Sequence, residues 1–378
     1  MHVHDSIFCI TPPHMLDQIV RNGTPEQREI AQRTLAASEG FRARRGAMGG
    51  RLASSVAAAV SAGKQRTIYD ARQGSQLPGT KVRGEGDPAS ADPAVNEAYD
   101  GSGITYDLYS DIYGRNSIDN NGFRLNSTVH YQKGYDNAFW DGQQMVYGDG
   151  DEDLPADQRL FNRFTAALDV IAHELTHGVT QYEANLNYIS QAGAMNESMS
   201  DVFGSLVKQY QRGQTADQAD WIIGEGLFTP NVNGVGIRSM KAPGSAYDDP
   251  VLGKDPQPMH MDHYVNTVED NGGVHINSGI PNHAFYIVAR EIGGFAWEKA
   301  GAIWYRALTE KLKPTSNFTD AANLTYEGAA DLFGSGSLEH KAVQSGWAGV
   351  GITVGAPSTN EGCLKATLRA LGFLPERK

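Results

Sequence analysis

The chain has 378 residues, 40% of them hydrophobic, with 44 Asp and Glu against 32 Lys and Arg and a formal net charge of -12. That length permits two or three domains around a large core, and the acidic balance argues against nucleic acid or anionic membrane as partners. No apolar stretch reaches the roughly eighteen residues of a membrane span, and Cys9 and Cys363, near opposite ends, build no disulfide framework.

Residues 1–50 read as a small unit: Pro12-Pro13, an apolar patch from Met15 to Val20, and a helix over 25–38. The longest early apolar run, Ile7 to Ile10, is too short for a secretory signal, so the expected residence is cytoplasmic, or outside the cell by a non-classical route. Arg42, Arg44, Arg45 and Arg51 precede an alanine-rich stretch that imitates a signal peptide but reads better as a cleavable linker to about residue 63. From Arg66 to Gly150 the Gly, Asn, Asp and Tyr content with short apolar alternations predicts strands and turns. Helices are predicted over 157–181, 193–211, 280–292, 295–312, 319–333 and 338–346. This order suggests an α+β molecule of two lobes, 51–185 and 186–355, with a cleft at their junction. Residues 356–378 extend past the second lobe, as a short amphipathic helix over 364–374 or as a tail.

His173-Glu174-Leu175-Thr176-His177 lies in the predicted helix over 157–181, whose Leu160, Phe161, Phe164, Ala167, Leu168, Ile171, Ala172 and Leu175 recur at three and four. Histidines four apart share a helix face, so both can reach one ion at roughly 2.0 to 2.1 Å. Glu197 supplies a third ligand, and the open fourth position takes a water that zinc acidifies and Glu174 can deprotonate. Chance gives such a pentapeptide on the order of once in a hundred chains of this size, but two histidines and a glutamate buried without a partner would be costly. Asp201, four residues after Glu197, can orient a ligand histidine or be a surface charge. His275 follows the glycine-shaped turn Asp270-Asn-Gly-Gly-Val, where it could stabilise an oxyanion with Asp270 setting its tautomer. Tyr188 could donate likewise or simply pack.

These motifs, with Glu197 inside Gly193-Ala-Met-Asn-Glu-Ser-Met-Ser-Asp, and with Tyr135-Asp-Asn-Ala-Phe-Trp-Asp-Gly and Met145-Val-Tyr-Gly-Asp-Gly-Asp, resemble the thermolysin family of zinc endopeptidases over about residues 66–355. The short leader with Pro12-Pro13-His-Met-Leu is similar to the protealysin branch. The resemblance implies a two-lobed thermolysin-like fold with a β-rich first lobe, and zinc held by His173, His177 and Glu197. It makes Glu174 the base and His275 and Tyr188 the stabilisers of the tetrahedral intermediate, with Asp270, Asp201 and Asn196 supporting His275, His173 and His177. Asn137, Ala138 and Arg238 would hold the substrate backbone. Phe164, Val170, Ile223, Leu227 and Ile237 would wall the pocket for the residue after the cut bond, whose apolar lining favours bulky apolar residues there.

Of the five carboxylates at the family's double calcium site the chain matches Asp169, Asp220 and Glu225, with Lys208 and Ile222 at the other two. One calcium ion is expected there, Lys208 replacing the second. The implied partners are protein or peptide substrates and the leader itself, as inhibitor of a monomeric zymogen. Self-processing would begin a mature chain at Met48, Leu52, Val56 or Val60, and Cys9 is either a thiolate cap on the zinc or a buried thiol. A scaffold without turnover, and an enzyme for one partner protein, are the rival readings.

Overall fold

A computed structural model describes residues 8–48 and 63–355. Leu52, Val56, Val60, Cys363 and the expected helix over 364–374 lie outside them. The leader forms strand β1 (Phe8–Cys9) and helices α1 (Pro13–Asn22) and α2 (Pro25–Met48), the last longer than the 25–38 expected. Pro13 starts α1 because its fixed φ suits a first helical position, and Met15, Leu16 and Ile19 fall on one buried face.

Next come β2 (Arg66–Asp70), β3 (Thr80–Gly84), α3 (Pro93–Tyr113), β4 (Leu125–Val129), β5 (Ala138–Trp140) and β6 (Met145–Tyr147). Six strands form one sheet in the order β1-β5-β6-β4-β2-β3. The leader strand therefore covers the edge that β5 would otherwise present, and pairs with it antiparallel, Phe8 opposite Trp140 and Cys9 opposite Phe139.

Helix α3 corrects the expectation of strands and turns throughout 66–150. Its ends carry ordinary signals: Asp92 accepts from the Ala94 N–H, Pro93 opens the helix, and Gly114 closes it at φ 66°. Gly101 and Gly103 inside it weaken helix propensity, which hid it. They are there for packing: a Cβ on Gly101 would lie 2.5 Å from Ile171 Cδ1, and one on Gly103 would lie 2.3 Å from Arg66 Nη1.

The second half holds α4 (Leu168–Tyr182), α5 (Ser190–Arg212), the short strands β7 (Ile222–Ile223), β8 (Arg238–Ser239), β9 (Asp248–Asp249) and β10 (Gly253–Lys254), α6 (Asp270–Asn277), α7 (Gly279–Ile292), α8 (Ala300–Arg306), α9 (Phe318–Phe333) and α10 (Leu338–Gly349). A π turn over Ala307–Lys311 extends α8 to roughly the expected span. The helix expected over 157–181 begins only at Leu168. The chain before it is extended apart from single turns, because Leu160 and Phe161 donate their N–H groups to Asp151 Oδ2 and Phe161 bridges to Phe228. Burial of an extended segment there imitates a helical period. α4 is buried on every side from Asp169 to Thr180, as a helix between two lobes must be. Among the described residues no helix is long and apolar enough to cross a membrane.

Candidate active site

Three donor atoms from α4 and α5 converge. His173 Nε2 lies 3.0 Å from His177 Nε2 and 3.5 Å from Glu197 Oε2, and His177 Nε2 lies 3.4 Å from Glu197 Oε1. All three side chains are fully buried. His173 Nδ1 donates to Asp201 Oδ1 and His177 Nδ1 to Asn196 Oδ1, each at 2.8 Å, which leaves lone pairs on both Nε2 atoms. Burial and the neighbouring His173 push the His177 pKa down, keeping its ring neutral. Two lone pairs facing each other, beside a Glu197 Oε2 that receives no hydrogen bond, are stable only around a cation. Ligands at about 2.0 to 2.1 Å around a tetrahedral ion stand roughly 3.3 Å apart, so the donor set fits zinc.

Asp201 anchors the support. It accepts Arg238 Nε and Nη2, both at 2.8 Å, and Asn282 Nδ2 at 2.8 Å as well as His173. Burial alone would raise its pKa; Arg238 and His173 hold it far below the usual carboxylate range. Asn282 was invisible in the sequence, because nothing local links α7 to α5. Glu174 accepts the Trp140 N–H at 3.1 Å, and burial, then Glu197, push its pKa well up against the opposing N–H groups of Trp140 and Ile10.

His275 enters from a different element. Asp270 and Asn271 at φ 50° and 52°, and Gly272 and Gly273 at 86° and 76°, form a left-handed turn that only glycine and short polar residues adopt readily. It brings Asp270 Oδ1 within 2.6 Å of His275 Nδ1 and Oδ2 within 2.8 Å of the His275 N–H. Burial lowers the His275 pKa, but Asp270 and Glu197 outweigh it and raise it, so both ring nitrogens can donate. Tyr188 donates to Glu197 Oε1 and lies 3.1 Å from His275 Nε2.

The leader runs through this site. His275 Nε2 donates to the Cys9 carbonyl at 2.9 Å, Ile10 N–H to the Ala138 carbonyl at 3.2 Å, Arg238 Nη1 to the Ile10 carbonyl at 3.1 Å, and Thr11 N–H to Asn137 Oδ1 at 2.9 Å. Ile10 is fully buried, as are Phe164, Val170, Ile223, Leu227 and Ile237, all within the one large core of the molecule. The Cys9 side chain packs instead with Tyr131, Tyr135, Phe139 and Val146, the buried thiol of the two expectations. His14, also unforeseen, is half-buried with Nε2 3.3 Å from Tyr247 Oη.

The expected calcium at Asp169, Asp220 and Glu225 does not fit and is corrected. Lys208 Nζ sits 2.9 Å from Asp169 Oδ2 and from Asp220 Oδ1, and 3.8 Å from Glu225 Oε2, and donates to the Ile222 carbonyl at 2.6 Å. Arg212 Nη1 takes Glu225 Oε2 at 2.7 Å and Asp220 Oδ2 at 3.3 Å. A calcium ion needs six to eight oxygens in an open cage, and two protein cations already hold these.

Fold and donor set together define a zinc metalloendopeptidase. The model of the thermolysin metallopeptidase catalytic domain matches residues 54–181, and that of the thermolysin metallopeptidase alpha-helical domain matches residues 184–352. The chain belongs to the thermolysin family, in its protealysin-like branch. It is similar to the solved precursor of protealysin, the metalloproteinase from Serratia proteamaculans, with TM-score 0.81 and 50% identity over 92% of this chain and 100% of that one. It is 51% identical over 350 residues to a protein named extracellular metalloprotease from Pectobacterium carotovorum subsp. carotovorum, covering 92% of this chain and 97% of the relative. A thermolysin of Alicyclobacillus acidocaldarius is 42% identical over 75% of this chain and 50% of its own length. The name of the Pectobacterium relative, an extracellular protein, overturns the expected cytoplasmic residence.

Proposed function

We propose that the chain is a zymogen whose mature form cuts proteins and peptides on the amino side of bulky apolar residues outside the cell, with residues 1–50 as inhibitory propeptide, 51–185 and 186–355 as the two lobes, and 356–378 as an extension. The convergence of the His173, His177 and Glu197 donor atoms around one point carries this reading. Zinc bound there supplies Lewis acidity, acidifying water and polarising the scissile carbonyl.

The protein does the rest. Glu174, held by the Trp140 N–H with its pKa raised, accepts the proton of the attacking water and passes it to the leaving nitrogen. His275, oriented by Asp270, and Tyr188 donate to the oxyanion as it develops. Asp201 and Asn196 keep the ligand histidines in the tautomer that offers Nε2. Arg238 and Asn137 hold the carbonyl and amide past the cut bond, Ala138 accepts the N–H of the residue after it, and Phe164, Val170, Ile223, Leu227 and Ile237 wall that residue's pocket. The contacts of Ile10 and Thr11 support these assignments. The test is Glu174→Gln: zinc content and fold should persist while peptide turnover falls by roughly three orders of magnitude or more. Retained turnover would reject the reading and leave the scaffold alternative unneeded as well.

A further inference from the structure

Inhibitory leaders usually avoid presenting a cuttable bond to the site they block. Here the Cys9 carbonyl takes the hydrogen bond of His275, the next N–H goes to Ala138, and the next carbonyl goes to Arg238. This is the direction and register proposed above for a substrate. The residue following the carbonyl is Ile10, a bulky apolar side chain fully buried, as the pocket demands.

We propose that the Cys9–Ile10 peptide bond is a substrate of the chain's own active site, so that the leader is a slowly cut inhibitor; the proposal rests on the function argued above. Water adds to the Cys9 carbonyl carbon, the bond to Ile10 nitrogen breaks, and the proton of the water ends on that nitrogen. The products are a Cys9 carboxylate and an Ile10 amine, and only water is consumed. Both new ends stay in place at first. Residues before the cut remain paired with β5, and residues after it are anchored by α1 through the buried Met15, Leu16 and Ile19. Recombination of held ends competes with release, which makes the nick slow and keeps the cleft covered until the short fragment departs.

The experiment follows the zinc-loaded full-length chain at two concentrations ten-fold apart, by intact mass and by amino-terminal sequencing after denaturation. A synthetic peptide with an internal leucine is turned over in parallel. A new terminus Ile-Thr-Pro-Pro should appear at the same rate at both concentrations and be absent in Glu174→Gln of equal zinc content. Ile10→Leu should keep it, and Ile10→Asp should slow it at least ten-fold. Amide exchange in zinc-stripped protein adds a readout without turnover: the Ile10 and Thr11 N–H groups should be protected at least a hundred-fold relative to a free leader peptide. Cleavage of the synthetic peptide while Cys9–Ile10 stays whole would overturn the proposal alone, as would unprotected amides at Ile10 and Thr11. If neither the peptide nor the bond is cut, the endopeptidase reading falls with it.

Discussion

Two polar clusters draw on helices α4 and α5, one wholly buried and the other opening to the surface at Glu225, and they solve the same electrostatic problem oppositely. At His173, His177 and Glu197 the chain brings two lone pairs and a carboxylate together around one point. At Asp169, Asp220 and Glu225 it brings three carboxylates together and fills their centre with Lys208, backed by Arg212. A knot of acidic side chains thus calls for an ion only where the chain has not supplied the charge itself.

Metal removal should break the comparison most sharply. A zinc chelator should abolish turnover, a loss of several orders of magnitude restored by zinc and not by calcium, whereas a calcium-selective chelator should leave the melting temperature unchanged. Calcium-dependent melting of the wild type would show that Lys208 does not fill its cluster. Lys208→Ala comes next: it leaves Asp169 buried beside uncompensated charge and should cost about 3 to 5 kcal/mol in denaturant unfolding. In Lys208→Asp, added calcium should recover part of the loss, turning the second cluster into the kind the first one is.

The leader offers a third buried nitrogen. Burial lowers the His14 pKa to about 4, with Asp270 opposing and His275 and Arg238 adding to the fall. The free leader takes a proton below pH 6.5 that the docked one refuses, so docking weakens as pH drops from 6.5 and is penalised by about 3 kcal/mol near pH 4. Leader release from metal-free protein should therefore accelerate with acid, and His14→Gln should flatten that dependence. Smallest of all, Arg212→Ala should cost under about 1 kcal/mol, because both it and Glu225 are over 40% exposed.

Much of the site was legible because it is local. The spacing of His173 and His177 on one helix, of Glu197 and Asp201 on another, and of Asp270 and His275 across a glycine turn are each matters of a few residues, where backbone geometry leaves little choice. Helix α3 escaped because Gly101 and Gly103 serve the close approach of Ile171 and Arg66, and packing there overrides propensity. The segment over 160–167 misled because an extended chain buried on several sides can space its apolar residues as a helix does.

Sequence alone determined the zinc chemistry and the zymogen character of the chain. Tertiary structure decided that Lys208 and Arg212 occupy the acidic cluster, that Asn282 braces Asp201, and that the Ile10 carbonyl meets Arg238 while the Cys9 side chain packs with Tyr131, Tyr135, Phe139 and Val146. The reason is separation along the chain: Ile10 meets Arg238, and Asp201 meets Asn282, only after the lobes and leader have packed, and residue patterns over a single turn or strand hold no information about such meetings.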